Sequence, residues 1–308
     1  MLIVVALGGN ALLQRDQPMT AEVQRENAHR AALALARLAA AHQVLITHGN
    51  GPQIGLLALQ QVASPHTPTY PLDVLGAQTQ GLIGYVLEQE LRAVLPDTAP
   101  IATLLTLVEV DLDDPAFQNP TKFIGPSYAE AEACRLSAEH GWAFKQDGTR
   151  WRRVVPSPQP KHILPLQVIR WMVERSAIVI CTGGGGIPVA RTADGGWMGV
   201  EAVIDKDLAS ALLAREVGAE MLIIATESDG VYLDYGTSRQ SMLRRTTPAH
   251  LRQHLHHFPP GSMGPKVQAA IDFVEHTGRP AVIGALADLD SLLSGSSGTW
   301  VEAASNDQ

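Results

Sequence analysis

The sequence predicts an α/β fold, a mostly parallel open sheet covered by helices on both faces. Two observations carry this: short apolar runs alternate with longer helical patterns, and glycine-rich turns follow several of the runs. Leu2–Leu7 reads as a buried strand running straight into Gly8-Gly9. Thr20 caps a helix to about Ala41, with Glu22 in its first turn. Val44–Thr47 is a second strand, followed by His48-Gly-Asn-Gly-Pro-Gln53 and a helix through Leu59. Leu72–Leu95 is a long helix and Ile101–Val110 a third strand. Beyond Pro165 come a helix over Leu166–Arg175, a strand over Ala177–Cys181 ending in Gly183–Gly186, and a helix after Asp205. Met221–Ala225 and Ala281–Ile283 complete the strands, with a helix from Lys266 to about Thr277 between them.

Residues 111–165 break the alternation. This stretch is rich in proline (Asn119-Pro120, Gly125-Pro126, Pro156, Pro158, Pro160), with one short helix over about Ala129–His140 and a hairpin around Gln146-Asp-Gly-Thr149. Loops this long are rarely structureless in compact domains, so a protruding subdomain is expected.

Composition narrows the class. The chain has 308 residues, 45% apolar and 18% charged, which argues against disorder and coiled coil. No apolar run reaches the roughly 18 residues of a membrane helix, and the start has neither the basic flank nor the cleavage site of a signal peptide. A net charge of −8 disfavours nonspecific nucleic-acid binding. Cys134 and Cys181 are too few for a disulfide framework or a cysteine-built zinc site. A cytoplasmic protein with neither nucleic-acid nor membrane partner is expected.

Only five of the 23 basic residues are lysine: Lys122, Lys145, Lys161, Lys206 and Lys266. Three stand beside Gly, Pro or Asp in loop-like settings: Asn119-Pro-Thr-Lys122, Asp205-Lys206-Asp207 and Gly261-Ser-Met-Gly-Pro-Lys266. A compact ammonium suits a tight phosphate site where a guanidinium fork is too bulky. Lys206 and Lys266 also fall in the first turns of helices, where a cation opposes the dipole and an anionic ligand would explain the exception. Asp205 and Asp207 can cap a helix, orient the lysines, or hold a magnesium ion carried in by a nucleotide.

Four glycine-rich segments follow strands in this reading: Gly8-Gly-Asn10, His48–Gly51, Gly183–Gly186 and Gly261–Lys266. In an open parallel sheet such loops share one edge, where N–H groups and helix ends approach an oxyanion. Asn10 and Asn50 add amide donors. There is no Gly-x4-Gly-Lys-Ser/Thr, and the glycine spacings miss the dinucleotide fingerprint. His48 reads as a hydrogen-bonded core residue, and His254, His256 and His257 as a solvated face with no nearby carboxylate. The turn after Met221–Ala225, with Tyr232 and Tyr235, can border a nucleotide base.

On these segments the chain resembles the carbamate kinases of the amino acid kinase superfamily. The matching runs are Ala6-Leu-Gly-Gly-Asn-Ala-Leu12, Thr47-His-Gly-Asn-Gly-Pro-Gln53, Asn119-Pro-Thr-Lys122, Arg152-Arg-Val-Val-Pro-Ser-Pro158, Gly183-Gly-Gly-Gly-Ile-Pro-Val189, Val203-Ile-Asp-Lys-Asp-Leu-Ala209 and Gly261-Ser-Met-Gly-Pro-Lys266, in the family's order over nearly the whole length. The resemblance implies a three-layer αβα sandwich, dimeric, as a single domain over residues 1–308. An acceptor-side lobe would span about 1–175, with an inserted subdomain at about 119–162, and a nucleotide-side lobe about 176–308.

It also implies magnesium-dependent phosphoryl transfer between ATP and carbamate, giving ADP and carbamoyl phosphate. Gly8, Gly9, Asn10, Gly49, Asn50 and Gly51 would hold the acceptor and the moving group. Lys206 and Lys266 would stabilise its charge, with Asp207 as organiser and Lys122 reaching in from the subdomain. Thr226, Asp229, Tyr232, Gly261, Ser262, Met263 and Gly264 would surround the nucleotide. The chain departs from the family at Phe123, where proline is usual, and at Glu227-Ser228, where Asp-Val is usual. Other readings are a relative acting on a different small carboxylate, a catalytically silent nucleotide binder, and a nicotinamide oxidoreductase.

Overall fold

The computed structural model describes residues 1–304 apart from 10–11, 14–16, 65, 67 and 260. The first third of the chain contributes β1 (Leu2–Leu7), α1 (Ala21–Ala39), β2 (Gln43–His48), α2 (Gly51–Val62), α3 (Leu72–Val94), β3 (Ile101–Thr103) and β4 (Leu107–Glu109). The middle holds β5 (Lys122–Tyr128), α4 (Glu130–His140), β6 (Ala143–Asp147), β7 (Arg150–Val155), β8 (His162–Ile163), α5 (Leu166–Glu174), β9 (Ile178–Ile180), β10 (Ile187–Arg191) and β11 (Trp197–Gly199). The remainder is α6 (Lys206–Val217), β12 (Met221–Thr226), β13 (Val231–Leu233), β14 (Ser241–Leu243), β15 (Arg245–Thr246), α7 (Pro248–Gln253), α8 (Met263–Thr277), β16 (Ala281–Ala285), α9 (Leu289–Leu293) and β17 (Thr299–Val301).

Eight strands form the main sheet in the order β15-β17-β16-β12-β1-β2-β9-β3, parallel at every pairing except β16 with β17. The pleat divides β1 between two cores. Val4 and Ala6 pack with residues of α5, α6 and α8, while Ile3, Val5 and Leu7 pack with α1, α3 and α9. Both faces are therefore covered, and the architecture is the expected αβα sandwich. Thr20 caps α1 by accepting from the Val23 N–H.

The 101–110 run is two strands, not one. β3 ends the main sheet, whereas β4 pairs with β8 and β10 in a separate sheet of order β11-β10-β4-β8. Within the irregular stretch, β5, β7 and β6 make a three-stranded sheet backed by α4, and a turn with Gly148 in the left-handed region joins β6 to β7. This protruding unit rests on α2 at one very close point. A Cβ on Gly55 would lie 2.0 Å from the Cα of Gly125, itself at φ +68°. Gly55→Ala is accordingly expected to cost about 1–3 kcal/mol and to push the subdomain outward, read as a lower melting temperature together with a raised KM.

Candidate active site

Because β1, β2, β9, β12 and β16 run parallel, their carboxyl ends share one edge of the sheet. A cleft of about 1660 Å³ opens there, roofed by β5 and the Gly261–Lys266 segment. Its centre is a cluster of opposite charges. Asp205 caps α6, accepting from the N–H of Asp207 at 2.9 Å and of Leu208 at 3.4 Å, and Lys122 ion-pairs with its other oxygen. Asp207, 3% exposed, receives the Lys206 ammonium at 2.5 Å on one oxygen and the Lys266 ammonium at 2.9 Å on the other. Three lysines far apart in the chain thus meet on one wall. Lys145 and Lys161 lie elsewhere, on Asn119 and Asp111 respectively.

Burial pushes the Asp207 carboxyl up, but the two ammoniums together outweigh it and hold the group well below the ordinary carboxylate range. Burial pushes Lys206 down to about 8; Asp207 opposes the shift and the neighbouring Lys266 charge adds to it. Burial acts the same way on Lys266, yet Asp207 and Asp205 carry that group above the ordinary lysine value. Lys206 is therefore the ammonium nearest to losing its proton at working pH.

The glycine floor divides its labour. Gly8 and Gly49 spend their N–H groups on the sheet, donating to Ala225 O at 3.0 Å and Leu7 O at 3.1 Å. What they offer the cleft is the absence of a side chain: a Cβ on Gly49 would stand 3.0 Å from Gly9 N and 3.6 Å from the Lys206 Cδ. Among the described residues the Gly9 and Gly51 N–H groups have no acceptor, and Gly51 opens α2 at its positive end. Asn10 lies outside the described residues. His48 is buried, with Nδ1–H donating to Gly49 O at 3.1 Å. Burial, aided by Lys206 and opposed by that bond, pushes it down to about 4. It is the neutral packing histidine its sequence setting suggested.

Of the residues expected to border a nucleotide, Thr226 ends β12, and it and Tyr232, Gly261, Ser262 and Met263 line the cleft. Two expected residues stand back from it. Asp229 is linked through the Tyr232 hydroxyl, which donates to both its oxygens at 2.9 and 3.0 Å. Gly264 turns its N–H to Pro259 O at 2.9 Å, and α8 begins at Met263 rather than Lys266. The Gly261 loop also follows a short 3-10 turn (Leu255–His257), not a strand. Lys266 nonetheless stays in the first helical turn.

Sequence reasoning passed over several wall residues. Phe123 lies against Gly261, where a Cβ would meet its ring at 3.0 Å, and Arg152 sits 5.4 Å above the ring centre. Gly184 and His257 also line the cleft. The Gly183–Gly186 run signalled Gly184, the departure from the family's proline marked Phe123 and a matching run contained Arg152, whereas nothing local placed Arg152 or His257 on the cleft wall. His257 lies 3.3 Å from the Asp234 carboxylate, so the histidine stretch does have a nearby carboxylate, contrary to expectation. Among the described residues no group of three His, Cys, Asp or Glu is placed to hold a metal ion.

The amino acid kinase family matches residues 1–285. A carbamate kinase of Rhizobium meliloti is 55% identical, with 100% of this chain and 95% of that protein covered. A carbamate kinase of Escherichia coli is 50% identical over 97% of this chain and 98% of its own length. The structure of a carbamate kinase from Giardia lamblia bound to AMP-PNP superposes with a TM-score of 0.88 at 38% identity, covering 98% of each chain. Fold, order of motifs and full-length identity agree: the chain belongs to the amino acid kinase family and, within it, to the carbamate kinases.

Proposed function

We propose that the chain transfers a phosphoryl group reversibly between ATP and carbamate, giving ADP and carbamoyl phosphate. The observation that carries this is the meeting of Lys122, Lys206 and Lys266 over Asp205 and Asp207, facing the free N–H groups of Gly9 and Gly51. In-line transfer of a phosphoryl group needs positioning and cations around its equatorial oxygens rather than covalent help. Carbamate is already an anion, so its oxygen attacks without a general base, which fits a site where His48 is buried and engaged and His257, on the cleft wall, is paired with Asp234. Lys206 and Lys266 stabilise the transferring oxygens, Asp207 fixes both ammoniums, and Gly9, Asn50 and Gly51 hold the acceptor. Gly8 and Gly49 leave room for it. Thr226, Tyr232, Gly261, Ser262 and Met263 border the nucleotide; Asp229 positions Tyr232, and Gly264 shapes the loop.

Magnesium enters on the nucleotide phosphates as part of the substrate. The oxygens of Asp205 and Asp207 are already occupied by lysines and N–H groups, which suits orientation of the cations better than a protein cage for the metal. The acceptor-side lobe then corresponds to about residues 1–175, with the subdomain at about 119–162, and the nucleotide-side lobe to 176–308. We further propose a cytoplasmic homodimer; among the described residues no helix is long and apolar enough to cross a membrane.

ATP formation from ADP and carbamoyl phosphate tests the reading directly. MgATP binding without that turnover would favour a silent nucleotide binder. Faster ADP release with acetylglutamate, glutamate or aspartate than with carbamate would point to another carboxylate. Two further outcomes are expected. Lys122→Ala should slow turnover about tenfold or more through loss of one cation, with Lys145→Ala near wild type in the same assay. The kcat/KM of the free enzyme should fall as pH rises through about 8, because the ammonium form of Lys206 is the useful one and burial has brought its loss into that range. A profile flat from pH 7 to 9 would show that Lys206 keeps its proton through that range.

A further inference from the structure

The residue at the N-cap of α2 is an asparagine that does not cap. An asparagine there ordinarily turns its oxygen onto the N–H groups of the first turn. Asn50 makes no such bond, and Pro52 removes one of the donors. Its amide is turned toward α3, with Nδ2 donating to the Thr79 hydroxyl at 2.9 Å. Thr79 is fully buried, and its single proton goes to the Gly76 carbonyl at 2.7 Å. The hydroxyl can therefore only accept from Asn50, which fixes the amide nitrogen toward α3 and the oxygen away from it. On its other side the amide lies against Gly184, at φ +63°, where a Cβ would come within 2.2 Å of Nδ2 and 2.7 Å of Oδ1. Asn50 is only 4% exposed, yet it lines the cleft beside Gly49 and Lys206, and its Oδ1 has no hydrogen-bond partner among the described residues.

An acceptor held rigidly in a wall of ammoniums and N–H groups has nothing to offer a phosphoryl or carboxylate oxygen. Of the reacting groups, only the amino group of carbamate carries hydrogens to donate. We infer that Oδ1 of Asn50, aimed by Thr79, receives an N–H of the acceptor and selects carbamate against acetate, its methyl analogue. The inference rests on the carbamate reading above and adds the device that distinguishes the substrate. Asn50 touches the substrate, whereas Thr79 is a positioning residue acting through it. A site built to hydrogen-bond a substrate N–H rejects the analogue lacking it by factors on the order of 10⁴, far beyond what shape alone gives for one methyl group.

The test is the ratio of kcat/KM for ATP formation from carbamoyl phosphate to that from acetyl phosphate, donors of equal size that differ in amino against methyl. Thr79→Val keeps the shape but cannot accept, and should lower the ratio about tenfold or more. Thr79→Ser, which restores the hydroxyl, should return it to within about threefold of the unaltered chain. Asn50→Ala removes the oxygen together with the amide's bond to Thr79 but leaves the α3 sequence intact, should also collapse the ratio, and carries the test if Thr79→Val fails to fold. An unchanged ratio in the folded variants, with both donors slowed alike, would reduce the network to packing and overturn the inference alone. No ATP from either donor with the unaltered chain would overturn the carbamate reading and the inference with it.

Discussion

Lys206→Ala is expected to lower kcat about a hundredfold or more, measured at saturating ADP and carbamoyl phosphate. The ammonium stands over the glycine floor, in a site closed off enough that burial has already lowered its proton affinity. A charge held there acts at low effective dielectric, where each cation around a transferring phosphoryl group can supply roughly 3 kcal/mol. Folding should survive, because Asp207 keeps Lys266 as a partner. Lys206→Arg should not restore the rate: the side chain is buried, and the guanidinium fork is wider than the ammonium it replaces. Turnover close to that of the unaltered chain would show that this charge does not reach the transition state.

Asp207→Ala should strike stability as hard as activity. It would leave two buried ammoniums without the carboxylate they share, and with only Asp205, already paired with Lys122, as a nearby negative charge, a loss of about 3–5 kcal/mol when one partner of a buried pair is removed. Thermal or urea unfolding at neutral pH reads this directly. The pH dependence gives an independent sign. In the unaltered chain the carboxyl is more acidic folded than unfolded, so its contribution is fully present above the ordinary carboxylate range and fades as pH falls below that range toward the lowered folded value. In the variant that acid-side loss should vanish. Its deficit should shrink as pH rises, starting below 8, because without Asp207 to keep it charged Lys206 sheds its proton more readily than in the unaltered chain and relieves the repulsion. A variant that melts with the unaltered chain would mean water already solvates both ammoniums.

The sandwich could be read from the sequence because a two-sided parallel sheet demands continuous apolar strands, and Leu2–Leu7 and Met221–Ala225 have little else to become. The 101–110 run misled for the same reason. Its hydrophobicity is unbroken, but which sheet a strand joins is a tertiary matter, and Leu104–Thr106 turns the chain from one sheet to the other. The start of α8 was obscured by Pro265, which looks like a boundary yet is tolerated in a first turn, where its missing N–H would go unpaired anyway. In the site, the scarcity of lysine made Lys122, Lys206 and Lys266 visible. The diverted cap at Asn50 was not, since it depends on Thr79 arriving from a helix 29 residues away. Nor did the Gly-Gly motif reveal which N–H groups the ladder consumes, because that is settled by strand pairing alone.

The meeting of Gly55 with Gly125 has a mechanical consequence. Bare α-carbons let the flap sit directly on α2, where Ile54 and Ala58 pack with Ile124 and Val155 in one buried apolar cluster that keys the two together. Away from that seat the flap is held by the Lys122–Asp205 pair and by the Phe123 ring against Gly261. The apolar seat on α2 is therefore the expected pivot of any opening, and those two contacts are the ones such an opening would break.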